Sequence, residues 1–419
     1  MPPNCVAPNR PTGAGRPLRR QRAPPSTKPT RRKPTVPDPV EVVVCGTRFG
    51  EHYLSALAAL RHQAAPRYRL AGIVARGSER SRSLAAHLGV PLYPDVASLP
   101  VSVEVACVVV RSAIVGGDGS SLARGLLERG IHVLQEHPVH PTDCARLKAL
   151  GAAHGACYHI NTFYPHLPAG QRFIDYARRS AAVHAPWFVE ITTSLQLLYS
   201  SLDLVGRALG GAAPFQCVGP LALGPLASQA SAGRPWPFRA LQGLIGGVPF
   251  SLNLQTYLDA ADPDHHSLVM HRIAIGGPQG NVLLANSYGP VLWSHPIYAP
   301  DYHRHGAEAS YLLAPEAHRA SRFNQLPTAL PFGPAGAPSL GEASLHDFPH
   351  AILAALDELL AQVEAARAGA PDPARDSGWL AHGQAWLDIM RAVGQPVSVS
   401  LSEPPVPHPD PTAYARHAS

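Results

Sequence analysis

The chain has 419 residues, 45% of them apolar and 15% charged, enough for two or three domains around a sizeable core. No apolar run approaches the roughly 20 residues a membrane helix needs, and the first residues, "MPPNCVAPNRPTGAGRPLRR", carry no h-region, so neither a membrane span nor a secretory leader is expected. The formal net charge of +6 does not mark a nucleic-acid binder, because residues 1–37 hold nine Lys or Arg and no acid, leaving 26 basic against 29 acidic residues elsewhere.

The basic Pro-rich segment over residues 1–38 has no apolar period and is expected to be a disordered tail. From Pro39 the pattern becomes regular. "VEVVVCG" is a continuous β-branched run, as in a strand buried on both faces of a parallel sheet. "EHYLSALAALRHQ" follows with helical spacing. "YRLAGIVAR" is a second strand, and "SERSRSLAAHLG" a helix ended by Gly89. "VEVACVVVR", "IHVLQE" and "ACYHINTFYP" read as further strands. "GSSLARGLLERG" and "TDCARLKALGAAHG" are the helices between them, the latter capped by Thr142 or Asp143. This alternation predicts a Rossmann-type, doubly wound α/β domain over residues 39–160.

After Tyr164 the pattern shifts. "WFVEITTSLQLLY", "VPFSLNLQTYLD", "SLVMHRIAIGG" and "NVLLANSYGPVLW" predict long strands of a large, open, mostly antiparallel sheet. Residues 315–342 are rich in Pro, Ala and Gly and read as loop. "FPHAILAALDELLAQVEAARAG" and "GWLAHGQAWLDIMRAVG" are C-terminal helices. An α+β domain over residues 161–395, serving substrate binding and dimerisation, with a tail over 396–419, completes the expected organisation. The cysteines Cys5, Cys45, Cys107, Cys144, Cys157 and Cys217 form no C-x-x-C pair, which fits a reduced, cytoplasmic protein.

Three segments carry chemistry. The turn "CGTRFG" lies between a strand and a helix. Gly46, Thr47, Phe49 and Gly50 are candidates to cradle a pyrophosphate there, although Cys45 and Thr47 replace two glycines of the usual G-x-G-x-x-G fingerprint. A tight turn with no ligand would look the same; the flanking strand and helix favour the dinucleotide. The second strand ends in "ARGSERSRS", with no acid to hold ribose hydroxyls. Arg76, Ser78, Arg80 and Ser81 there suit a 2′-phosphate, hence NADPH. Arg111, Ser112 and Glu136 follow later strands of the same sheet and are further cofactor candidates.

The third segment is "QEHPVHP". It follows a strand of the parallel sheet, at the C-terminal edge where ligands of such sheets bind. Each histidine precedes a proline, which biases it toward extended backbone. A histidine side chain is a common general acid, so His137 is a candidate for that role; His140 reads as structural. A metal held by Glu136, His137 and His140 is disfavoured because prolines separate the ligands. No G-x-S-x-G elbow is present. Asn161, His166 and Tyr199 are possible site-lining residues or satisfied core polar groups.

These segments resemble a known family. The Gfo/Idh/MocA oxidoreductases carry Glu-Lys-Pro at this point; this chain has Glu136-His137-Pro138. With histidine there, the chain is similar to the thiazolinyl imine reductases of siderophore assembly lines, through "GTRFGEHYL", "ARGSERSRSLA", "VVVRSAIVGG", "NTFYPH", "LLYSSLDL", "SLVMHR" and "SYGPVLW", over about residues 40–300. The resemblance implies NADPH-dependent reduction of a thiazoline C=N to thiazolidine in a substrate tethered to a nonribosomal peptide synthetase carrier protein. It further implies a homodimer, and proton donors at His137 and Tyr164. A sugar or other small-molecule dehydrogenase, or a non-catalytic dinucleotide sensor, would share the fold.

Overall fold

A computed structural model describes residues 38–221, 224, 236–259, 261, 267–296, 310, 312–320, 324–370, 373–400, 402 and 406–417. The basic tail lies outside these residues.

The first sheet holds six parallel strands: β1 (Val40–Cys45), β2 (Tyr68–Val74), β3 (Leu92–Tyr93), β4 (Val105–Val108), β5 (His132–Glu136) and β6 (Tyr158–Asn161), in the order β3-β2-β1-β4-β5-β6. This is the Rossmann-type sheet expected from the alternating runs. Val42–Cys45 and all of β4 are buried because helices cover both faces. The crossovers are α1 (Gly50–Ala59), α2 (Glu79–Leu88), α3 (Gly119–Glu128) and α4 (Pro141–Ala153). Ser78 caps α2 and Gly89, in the left-handed region, ends it. The cap of α4 differs from expectation. It is His140, whose side chain accepts from Thr142 N, with Pro141 opening the helix; Thr142 and Asp143 already lie inside it.

Beyond β6 come α5 (Pro168–Val183), β7 (Phe188–Ser194) and α6 (Leu198–Leu209). Here the sequence misleads. "WFVEITTSLQLLY" is not one strand, since the chain turns at Leu195–Leu197 into α6. That helix is buried nearly all round, Ser200, Ser201 and Asp203 included, so it has no polar face to betray its period. The second sheet adds β8 (Phe215–Val218), β9 (Phe238–Ile245) and β10 (Val248–Gln255). After the two-residue β11 (Tyr257–Leu258), it continues with β12 (His271–Gly277), β13 (Gly280–Leu284), β14 (Val291–Ser294) and β15 (Ala329–Pro331). Its order is β15-β14-β13-β12-β7-β10-β9-β8. It is antiparallel except where β10 runs parallel to β7. The supposed loop of residues 315–342 supplies β15 and the short helices Pro315–Ala320 and Leu340–Glu342.

The two C-terminal helices, α7 (Phe348–Arg367) and α8 (Pro373–Val393), part company. Ile352, Ala355, Leu356 and Leu359 of α7 share a core with Val42, Val44, Leu54 and Leu57 of β1 and α1. Trp379, Trp386 and Ile389 of α8 join the core under the second sheet. Val397–Ser398 (β16) pairs with β11. No described helix is long and apolar enough to cross a membrane. Among the described residues no three or more His, Cys, Asp or Glu side chains gather as a metal site.

Candidate active site

The turn after β1 is shaped for close approach. Gly46 has φ +97°, and a Cβ there would stand 2.5 Å from the Val109 carbonyl oxygen. Only glycine fits. Helix α1 then begins at Gly50 with Phe49 as N-cap and no side-chain cap; the N–H groups of Glu51 and His52 donate to the Arg48 and Phe49 carbonyls at 3.1 Å, and no side chain covers the helix start. A crowded glycine and an uncapped helix start together fit a dinucleotide pyrophosphate. Arg80 lies against this turn. Its Nε donates to the Thr47 carbonyl at 3.0 Å, and its guanidinium pairs with Glu51 in the first turn of α1. Arg76 is exposed at the end of β2. Ser78 and Ser81 engage each other: Ser78 Oγ accepts from Ser81 N at 3.2 Å, and the Ser81 hydroxyl donates to the Ser78 carbonyl at 2.8 Å. Phe49 turns its ring edge onto Phe163, centroids 5.4 Å apart. Arg111 is exposed, and the buried Ser112 donates to the carbonyl of Pro138.

The Glu136–Pro138 segment is tied on several sides. Glu136 accepts from the Tyr53 hydroxyl and, at 3.1 Å, from Asn161 Nδ2. The backbone N–H of His137 donates to the Asn161 carbonyl at 3.1 Å. His137 Nδ1 lies 3.2 Å from that same carbonyl and 3.4 Å from a Glu136 carboxylate oxygen. Both neighbours are acceptors, so Nδ1 carries a proton. Nε2 has no hydrogen-bond partner among the described residues, although the side chain is only 11% exposed. The His137 ring stacks on Tyr199 at 5.7 Å.

Tyr164 follows β6, the neighbour of β5. Between strand and tyrosine the backbone makes a γ-turn: Phe163 has φ 65° and ψ −59°, and Tyr164 N donates to the Thr162 carbonyl at 2.7 Å. Phe163 is the only described non-glycine residue with positive φ. Asn161 Oδ1 holds the turn by accepting from Phe163 N at 2.8 Å. "ACYHINTFYP" therefore stops being a strand at Asn161. The Tyr164 ring packs on His271 at 4.3 Å, and its hydroxyl has no partner among the described residues. Burial, with Tyr288 and the Glu136 charge beside it, pushes the phenol well above its usual range, so it stays protonated.

His271 carried no assigned role in the sequence, although "SLVMHR" contains it. It is fully buried, 2.8 Å from Ser200 Oγ and 2.7 Å from Ser287 Oγ. The Ser200 hydroxyl donates to the Leu197 carbonyl, so His271 Nε2 donates to Ser200 and Nδ1 accepts from Ser287. Tyr53 and His382 were likewise unmarked: an aromatic on a helix and a histidine among tryptophans look like core. Of the residues left open, Asn161 joins this cluster and Tyr199 flanks His137. His166 lies 3.0 Å from Glu358 on α7.

Burial depresses His271 to about 3, with a charge on His137 adding to the effect. Burial also takes His382 to about 4, partly opposed by Asp203. Unfolded histidines bind protons below about 6.5; the folded rings do not until pH 3–4. Their contribution to stability is complete above pH 6.5 and is lost as the pH falls toward 4. Urea midpoints should fall between neutral pH and about pH 5, and the fall should shrink in His271→Gln/His382→Gln. An unchanged slope in that double variant would refute the assignment.

Two family models match the chain. One, described as oxidoreductase family, NAD-binding Rossmann fold, covers residues 40–162; the other, described as thiazolinyl imine reductase Irp3-like, C-terminal, covers 184–294. Solved structures with the same fold include the UDP-N-acetylglucosamine 3-dehydrogenase GnnA from Acidithiobacillus ferrooxidans. It is 16% identical with TM-score 0.55, over 84% of this chain and 96% of that one. The 3-ketoreductase KijD10 from Actinomadura kijaniata, in complex with NADP, is 16% identical with TM-score 0.56, over 87% and 100%. GenD2 from gentamicin A biosynthesis, in complex with NAD, is 15% identical with TM-score 0.54, over 87% and 96%. No curated protein matches by sequence.

The fold and the first model define a nicotinamide-dinucleotide-binding oxidoreductase. Within that class it is of the Gfo/Idh/MocA type, and residues 184–294 match the C-terminal domain of Irp3-like thiazolinyl imine reductases.

Proposed function

We propose that the chain reduces the C=N bond of a thiazoline ring to thiazolidine, using NADPH, on a siderophore intermediate tethered to a nonribosomal peptide synthetase carrier protein. The observation that carries this reading is the pair of uncommitted polar atoms, His137 Nε2 and the Tyr164 hydroxyl, on segments following adjacent strands β5 and β6. A ring imine needs hydride at carbon and a proton at nitrogen. The nicotinamide supplies the hydride when bound. Tyr164, held protonated, offers its O–H to the ring nitrogen. His137, anchored through Nδ1, keeps Nε2 available as donor when doubly protonated or as acceptor otherwise. Histidine rather than lysine before Pro138, and the Irp3-like second domain, support an imine over a sugar. In this reading residues 39–160 bind cofactor, residues 161–395 bind substrate and pair two copies, and the protein works in the cytoplasm.

A sugar or other small-molecule dehydrogenase is the second reading, favoured by the nucleotide-sugar dehydrogenase GnnA, which shares the fold. The test mixes purified protein with a carrier-bound thiazoline and NADPH or NADH, and follows cofactor absorbance and a two-hydrogen mass gain. Thiazoline reduction with NADPH preferred is expected. Arg80→Ala should lower kcat/KM for NADPH about 10–100-fold more than for NADH, the worth of one charged contact. Turnover of a nucleotide sugar with none of thiazoline would replace the proposal with the second reading; equal use of both cofactors by the wild type would sink the 2′-phosphate site.

A further inference from the structure

The turn that carries Tyr164 is hydrogen-bonded at its start and faces a carboxylate at its end. At its start, the Thr162 hydroxyl donates to Asp203 on α6. At its end, His166 Nε2 stands 3.0 Å from a carboxylate oxygen of Glu358, reaching in from α7. One cation joins the two acids. Arg207 Nε donates to both oxygens of Asp203 at 3.0 Å, and its Nη1 lies 3.1 and 3.3 Å from those of Glu358. The group is largely sequestered: the side chains of Asp203, His166, Glu358 and Arg207 are 9, 8, 17 and 21% exposed. On the remaining side α5 abuts the turn so closely that a Cβ on Gly170 would lie 2.2 Å from the Tyr164 carbonyl oxygen.

A γ-turn with positive φ on a phenylalanine is strained and persists only where its surroundings over-determine it. Burial alone would raise the Asp203 carboxyl. Arg207, His382 and the Thr162 hydroxyl outweigh it and keep Asp203 ionised, so it accepts from Thr162 throughout the neutral range.

We propose that Arg207 is a positioning residue for the reaction: by bridging Asp203 and Glu358 it fixes both ends of the Thr162–His166 turn and so the placement of the Tyr164 hydroxyl. The inference rests on Tyr164 being the proton donor of the proposed function. A guanidinium fork is needed because two carboxylates on different helices must be held by one planar group, a geometry lysine cannot reproduce.

The test compares Arg207→Lys in the wild-type and Tyr164→Phe backgrounds, with carrier-bound thiazoline and NADPH. Arg207→Lys keeps the charge and loses the fork. It should lower kcat roughly 10–100-fold, the cost of misplacing a reacting group by about 1 Å. The NADPH dissociation constant, read by fluorescence, should stay within about twofold. In Tyr164→Phe the same change should cost less than about threefold, because the hydroxyl it positions is gone. Thr162→Val, with Thr162→Ser as rescue, gives an independent arm. It cuts the link at Asp203 while leaving Arg207 and Glu358 paired, and should reproduce the loss that serine restores. An equal loss from Arg207→Lys in both backgrounds, or a Thr162→Val enzyme with wild-type kcat, overturns the inference and leaves the functional reading standing. A Tyr164→Phe enzyme with wild-type kcat removes Tyr164 as proton donor and the inference with it, whereas a wild-type enzyme that leaves thiazoline unreduced overturns the functional reading itself.

Discussion

Replacing Tyr164 with phenylalanine should lower kcat by about 10²–10⁴, the usual cost of losing a general acid, while NADPH binds as before. The expectation follows from what the hydroxyl does and does not touch. It bonds to no described residue, and the ring keeps its seat on His271, so removing one oxygen leaves the packing intact. His137→Ala should be milder, since water can enter and serve as a proton source. It should also release the Asn161 carbonyl and a Glu136 oxygen from Nδ1. If the two groups share one proton path, the double variant should fall short of the product of the single losses. Stopped-flow single turnovers with carrier-bound substrate separate the chemical step from binding. Near-normal turnover in both single variants, or a defect confined to NADPH affinity, would remove both residues from the proton step.

Gly46→Ala should be the most damaging single-methyl change in the cofactor turn. Two costs add. An L residue at positive φ costs about 1–2 kcal/mol, and the new Cβ would sit 2.5 Å from the Val109 carbonyl oxygen, so β4 and the turn must separate. A total loss of about 2–4 kcal/mol is expected. A dinucleotide affinity at least about tenfold weaker should accompany it, because the N–H groups of the turn move with the backbone. Gly89→Ala is the control: its φ is +64°, but nothing lies within 4 Å of the added Cβ, so only the conformational cost applies. Chemical denaturation and NADPH titration of both variants decide it. Equal losses at the two glycines would mean that contact with Val109 does not shape the turn.

The parallel sheet is legible because its strands are buried on both faces and write that burial into unbroken runs such as "VEVVVC" and "VEVACVVV". Its helix signals are local too: Ser78 and Gly89 mark α2 because capping needs only neighbours in sequence. His137 stands out for the same reason, as a titratable ring at the end of a readable strand. Beyond Asn161 the governing contacts are distant. The γ-turn at Phe163 depends on Asn161, Asp203 and packing by Phe348, and nothing in "NTFYPH" announces a left-handed phenylalanine. Helix α6 is hidden because its polar residues face inward. Ser200 meets His271 from a strand some seventy positions away, and Asp203 meets Thr162. The action of His140 as a cap appears only once Pro141 is seen to open the helix.

Helix α7 has a consequence for how the molecule is assembled. It begins 187 residues after the end of β6 in the chain, yet Phe348, Ile352, Leu356 and Leu359 fill the core that β1 and α1 share. The nucleotide-binding sheet is therefore discontinuous in synthesis order. A nascent chain can pair all six parallel strands and still leave Leu54 and Leu57 of α1 without their partners until α7 emerges. Such long-range closure slows folding and leaves apolar surface open in the interval. Glu358 arrives on the same helix, so the clamp on the Tyr164 turn is completed in the step that seals the nucleotide domain.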